Sequence, residues 1–138
     1  MVLGSMPGVA SLTAQEYYAH PRNAFWPIMA ELLGFDVALP YARRCAALER
    51  AGVAVWDVLR ACERPGSLDS AIVARTETPN ELVALLTRRS TIRSVMLNGG
   101  KAEQAFRRHV LRELPAEVRE RVTITRLPST SPAHAARS

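Results

Sequence analysis

Residues 92–111 read IRSVMLNGGKAEQAFRRHVL. Ile92 to Leu97 is a short apolar run of the kind that forms a buried strand, and Asn98-Gly99-Gly100 closes it with a turn signal. Lys101 to Leu111 then reads as a helix. Strand, glycine turn and helix in direct succession make up half of a β-α-β unit, and the rest of the chain repeats the alternation on either side.

Working upstream, Pro79-Asn80-Glu81 opens a helix that runs to about Arg89, and Val53-Ala54-Val55-Trp56-Asp57 reads as a buried strand ended by a carboxylate. Tyr41 to Ala51 is helical and stops at Gly52; Asn23 to Leu33 is helical, with Phe25, Ile28, Met29, Leu32 and Leu33 at the spacing of one face, and stops at Gly34. Val2-Leu3-Gly4 is the tail of a strand entering the loop Ser5-Met6-Pro7-Gly8. Working downstream, Pro115 to Arg121 is a short helix and Val122 to Leu127 the last strand, followed by Pro128-Ser129-Thr130-Ser131-Pro132. Cys62 to Thr78, with Pro, Gly, Ser and Asp at close spacing, reads as a long loop. This order predicts a parallel sheet with helices on both faces. Ligands of such sheets bind beyond the carboxyl ends of the strands, where Ser5 to Gly8, Asp57, Asn98-Gly99 and Pro128 to Pro132 all fall.

The totals narrow the function. At 138 residues and 48% hydrophobic content, the chain is expected to fold as one domain spanning 1–138. A formal charge of +5, with a pI near 10.0, favours an anionic partner, nucleic acid above others. No apolar run is long enough for a membrane span, and MVLGSMPG lacks the build of a secretory signal. Cys45 and Cys62 match no metal spacing and read as reduced thiols of a cytoplasmic protein. Neither GxxxxGK[ST] nor GxGxxG occurs, so a nucleotide cofactor is not expected, and neither is a metal.

Tyr17 to Trp26, YYAHPRNAFW, holds four of the eight aromatic residues, interleaved with His20, Arg22 and Asn23. That mixture suits a site better than a core stripe. With the amides, hydroxyls and single carboxylate at the strand ends, it suits hydrogen bonding to a flat heterocycle and orienting a water, with Tyr17, Tyr18, Phe25 and Trp26 available as stacking faces. Each residue also has a plainer structural reading. Asn23 caps the following helix, Tyr17 and Trp26 pack in the core, His20 stabilises its loop, Asp57 caps a loop, His109 is solvated, and Arg88-Arg89 and Arg107-Arg108 are exposed helix faces.

LGSMPG, YYAHPRNAFW, GVAVWDV, CERPGSLDS, LNG and LPSTSPAHA, in that order, resemble the hypoxanthine-DNA (deoxyinosine) glycosylases of the uracil-DNA glycosylase superfamily. The likeness covers nearly the whole chain, and YYAHPRNAFW and LPSTSPA are its specific parts. AHPxNxFW is also similar to the mismatch-specific uracil/thymine-DNA glycosylases. The resemblance implies a three-layer α/β/α fold with a four-stranded parallel sheet. It implies release of a deaminated base, flipped out of DNA, without metal or nucleotide cofactor, by a monomeric, cytoplasmic, nucleoid-associated repair enzyme. It places Gly4, Ser5 and Pro7 beside the scissile bond, with Met6 where mismatch-specific relatives carry a water-activating Asn. It makes Asn23 the catalytic polar group with Ser5 beside it, sets Tyr18, His20 and Asp57 around the base, and assigns Ser129, Thr130, Ser131, Pro132 and His134 to the DNA-pressing loop. Members of the family begin earlier and end later than this chain, which therefore reads as shortened at both ends. Two other readings remain open: a uracil- or mismatch-directed enzyme of the same fold, and a DNA-binding module that has lost catalysis.

Overall fold

The computed structural model describes residues 1–63 and 72–132. The elements run β1 (Val2–Gly4), α1 (Val9–Ala14), α2 (Phe25–Leu33), α3 (Tyr41–Arg50), β2 (Val55–Asp57), β3 (Leu59–Glu63), β4 (Val73–Pro79), α4 (Leu82–Arg88), β5 (Ser94–Asn98), α5 (Gly100–His109), a 3-10 turn (Leu111–Glu113), α6 (Ala116–Arg121) and β6 (Thr123–Leu127). Four strands form a parallel sheet in the order β2-β1-β5-β6. The α/β class and the parallel sheet with helical layers are as the sequence pattern predicts, and the count of four strands is as the resemblance implies.

Alternation along β1 separates the two cores, because successive side chains of a strand face opposite ways. Leu3 joins Val95, Leu97, Phe106, Val110 and Val118 under α4, α5 and α6, whereas Val2 joins Phe25, Trp26 and Leu48 under α2 and α3. In α5 the buried residues are Ala102, Ala105 and Phe106, the one-face spacing of a helix laid on a sheet. The second layer covers β1 and β2 more fully than β5, where Met96 remains 39% exposed. Short as it is, β1 is an interior strand paired on both sides. From β1 the chain crosses to β2 on one side, returns past β1 to β5, and leaves β5 for β6 on the other side, so the connections after β1 and β5 run in opposite directions. This reversal opens a crevice at the carboxyl ends of β1 and β5.

Three expectations need correction. Val73–Pro79 is not loop but a strand, paired antiparallel with Leu59–Glu63. The turn-forming residues crowd before Ile72, whereas Val73, Thr76 and Thr78 are β-branched and suit a ladder. Pro79 closes this strand instead of opening a helix, and α4 begins only at Leu82. Asn80 is committed elsewhere, its N–H donating to the Val58 carbonyl and its Nδ2 to the Asp57 carbonyl, each at 2.8 Å. Helix α1 went unpredicted: it is one and a half turns, too short to show periodicity. Most of CERPGSLDS, and His134, lie outside the described residues. Among the described residues no helix is long and apolar enough to cross a membrane.

Candidate active site

Parallel register brings the polar strand ends level. Gly4 pairs with Asp57 and Asn98 with Leu127, so β1, β2, β5 and β6 deliver their last residues to one edge. Beyond Gly4 the chain is held by the other sheet's first strand, the Gly4 and Ser5 carbonyls accepting the Val58 and Leu59 N–H at 2.8 and 2.9 Å. Ser5 and Asp57 are buried, 5% and 6% exposed.

Gly4 matters for what it lacks. A Cβ there would stand 2.5 Å from Asp57 Oδ1 and 3.2 Å from the Tyr18 hydroxyl. Two polar side chains from different segments thus close over one glycine. Met6, by contrast, packs against the apolar core and brings no polar group to this edge.

Tyr18 adopts the left-handed backbone at φ 55°, which a bulky aromatic rarely does. Its ring stacks on Phe25 with centroids 4.1 Å apart, and its hydroxyl is buried. One face of the Tyr18 ring is therefore covered by Phe25. The Tyr17 N–H donates to Tyr41 Oη at 3.1 Å, and its carbonyl accepts from Trp26 Nε1 at 2.9 Å. Burial first, then the nearby Asp57 charge and Tyr41, push the Tyr17 phenol up to about 12. Phe25 and Trp26, 3% and 5% exposed, are core residues, so the stacking faces suggested for them are not available. Both are consumed by apolar packing, and the Arg44 guanidinium lies over Trp26, 4.7 Å from its centroid.

Asn23 does cap α2: its Oδ1 accepts the Phe25 N–H at 2.9 Å. Because that N–H can only donate, the oxygen of the amide is assigned and the NH2 points the other way. His20 is exposed and accepts the Arg22 N–H on Nδ1 at 3.1 Å while its carbonyl accepts the Asn23 N–H at 2.9 Å. It stabilises its own turn, one of the two readings made from sequence.

The loop after β6 reaches this turn directly, for the Thr130 carbonyl accepts the Ala24 N–H at 3.0 Å. Asn98, 9% exposed at the end of β5, holds the same residue twice. Its Nδ2 donates to Thr130 Oγ1 and its Oδ1 accepts the Thr130 N–H, both at 3.0 Å. Gly99, at φ 98°, admits the loop, because a Cβ there would meet the Ser129 Cβ at 2.9 Å. Ser129 Oγ in turn accepts the Ser131 N–H at 3.1 Å. Thr130 thus ties β5 to the start of α2, and the two most specific sequence stretches meet across it. Sequence reasoning placed Asn98-Gly99 at this ligand-binding edge but gave Asn98 no role; an Asn closing a strand before two glycines was the available signal.

A second polar cluster lies away from this edge. Glu77, its side chain fully buried on β4, pairs with Lys101 Nζ and with His109 Nε2, the latter at 2.7 Å. Burial pushes its carboxyl up, but the hydrogen bonds and charges of Lys101 and His109 outweigh that and hold it below the usual range. His109 is therefore a partner of β4 and not the solvated helix residue expected, because its side chain reaches the buried Glu77 carboxylate.

The family model described as the uracil DNA glycosylase superfamily matches residues 1–138. Two relatives named hypoxanthine DNA glycosylase, from Methanosarcina barkeri and Methanosarcina acetivorans, are 34% and 32% identical over 103 residues. The match covers 74% of this chain and 64% of each relative, so the chain spans less than two thirds of their length. A solution NMR structure from Methanosarcina acetivorans, whose description names uracil DNA glycosylase, superposes with a TM-score of 0.78 at 29% identity, covering 99% of this chain and 80% of that one.

Proposed function

The chain belongs to the uracil DNA glycosylase superfamily, and from that premise we propose that it hydrolyses the N-glycosidic bond of a deaminated base in DNA, hypoxanthine first among them. The observation that carries the reading is the junction at Thr130, which sets the Asn23 turn and the Ser129–Pro132 loop together beside Gly4 and Asp57. The names of the two relatives support hypoxanthine as the base.

In this reading the flipped base lies beside Tyr18, whose ring is backed by Phe25. The buried Asp57 carboxylate accepts the N1–H of hypoxanthine, a donor that adenine lacks. The C1′–N bond breaks with its electron pair going to the base, and C1′ gains oxocarbenium character. The Asn23 NH2, turned away from the helix it caps, donates to the charge developing on the departing base. Water adds to C1′, its proton leaves with the base or the solvent, and an abasic site remains. Met6, where mismatch-directed enzymes carry a water-activating Asn, cannot take this part, and Ser5 stands beside it at the same edge. Lys101, the only lysine, is held by Glu77 and Gln104, and the Met1 amine donates to the Ser94 carbonyl at the opposite end of β5, so neither is offered for a Schiff base and the enzyme is monofunctional.

Duplex oligonucleotides carrying deoxyinosine, deoxyuridine or xanthine, scored for alkali-labile abasic sites, test the proposal. Release from deoxyinosine above the others supports it. Preferential release of uracil would establish the second reading, which the description of the superposed NMR structure favours. Binding of DNA without release of any base would leave a binding module.

A further inference from the structure

We propose that Asn98 is a positioning residue that turns the Thr130 hydroxyl outward as a hydrogen-bond donor to a DNA phosphate while holding the Asn23 turn in place. The inference rests on the glycosylase reading above and adds to it a role for Asn98, which that reading leaves without one.

The argument is one of donors and acceptors. The Thr130 N–H can only donate, so the Asn98 atom facing it is the oxygen, and the atom facing Thr130 Oγ1 is the NH2. Thr130 Oγ1 is thereby an acceptor on its inner side, and its own proton must find an acceptor elsewhere. Ser129 repeats the pattern, its Oγ accepting the Ser131 N–H at 3.1 Å. Two successive hydroxyls thus have their inner positions filled by donors and their protons directed away from the protein's own N–H groups. A phosphodiester, which has acceptors and no donors, is the complement of such a pair. The Asn98 amide is 9% exposed and sits at the carboxyl end of β5, an interior strand of the sheet, so it supplies a rigid origin for the loop. The Thr130 carbonyl passes that position on to Ala24, the residue after Asn23. A phosphate seated on Thr130 is therefore registered against the group that assists base departure.

Asn98→Asp separates this from a structural role. It keeps the shape, but both its oxygens accept, so the Thr130 proton is drawn inward and a negative charge faces the phosphate. We expect single-turnover base release from a deoxyinosine duplex to fall at least tenfold in Asn98→Asp and in Asn98→Ala, the scale of a small misplacement at a reacting centre. Thr130→Val should weaken affinity for a duplex carrying a tetrahydrofuran abasic site by about tenfold, the value of one hydrogen bond to a charged group, and Thr130→Ser should restore most of that loss. Rates per folded molecule within twofold of the parent in both Asn98 variants, with only their melting temperatures lowered, would overturn the proposal. If the parent itself releases no base, the glycosylase reading has failed separately. Affinity for the abasic duplex then decides this one: weakening in Thr130→Val and Asn98→Asp supports it, and unchanged affinity in both overturns it.

Discussion

The carboxyl edge of the sheet and the Glu77 cluster both bury polar side chains, yet they do opposite things with them. At Glu77 a fully buried carboxylate is closed off by two basic groups, Lys101 and His109, and the product is adhesion between β4 and α5. At the edge, Asn23 gives its oxygen to the Phe25 N–H and keeps its NH2, and the Thr130 and Ser129 hydroxyls accept from Asn98 and from the Ser131 N–H and keep their protons. Burial by itself does not mark a site. What distinguishes the edge is partial commitment, in which one hydrogen-bonding position of a group anchors it and another is kept.

The largest expected effect breaks the closed cluster. Glu77→Ala leaves Lys101 and His109 without their carboxylate and should cost about 3–5 kcal/mol in unfolding free energy, with base release per folded molecule unchanged. The pH dependence follows the same group. Its folded pKa lies below the unfolded value, so its stabilisation is complete above the ordinary carboxylate range and disappears as pH falls through the lowered folded value. Acid denaturation of parent and Glu77→Gln should therefore converge at low pH; a gap that persists there would show that the cluster does not act through ionisation.

Next comes the open side. Asn23→Ala should lower the single-turnover rate by about 10²–10³, as loss of one preorganised donor does, and stability by only about 0.5–2 kcal/mol for the lost cap. A folded variant within a few-fold of parental rate would reduce Asn23 to its cap and shift the catalytic burden to Ser5 or Asp57. Gly4→Ala forces Asp57 or Tyr18 aside, given the 2.5 Å approach to Oδ1. We expect about 1–3 kcal/mol of destabilisation and weaker discrimination of hypoxanthine from adenine; unaltered discrimination would remove Asp57 from base reading. The smallest effect sets the baseline. Arg107, 61% exposed and 3.6 Å from Glu103, forms a surface pair whose removal should change the melt by at most about 0.5 kcal/mol.

Elements whose local pattern coincides with their tertiary role were legible from the chain. The run 92–111 showed strand, turn and helix, and the helices at Phe25–Leu33 and Tyr41–Arg50 emerged within two residues of their bounds. The hairpin was not legible, since its two strands lie on either side of a turn-rich stretch and pair only in space. Residue roles were divided in the same way. Of the aromatics in YYAHPRNAFW, Trp26 was already read as packing, but that Phe25 faces the core as well required knowing where α3 lies.

By itself, then, the sequence determined the alternation of strands and helices, the parallel sheet and the edge at which polar residues gather, because these follow from periodicity and turn chemistry within short windows. Only the tertiary structure decided how the distant partners pair. The Asn98 amide grips Thr130, and His109 belongs to Glu77. Each partner lies about 30 residues away along the chain, and a hydrogen bond over that separation exists only once the sheet has set the distance.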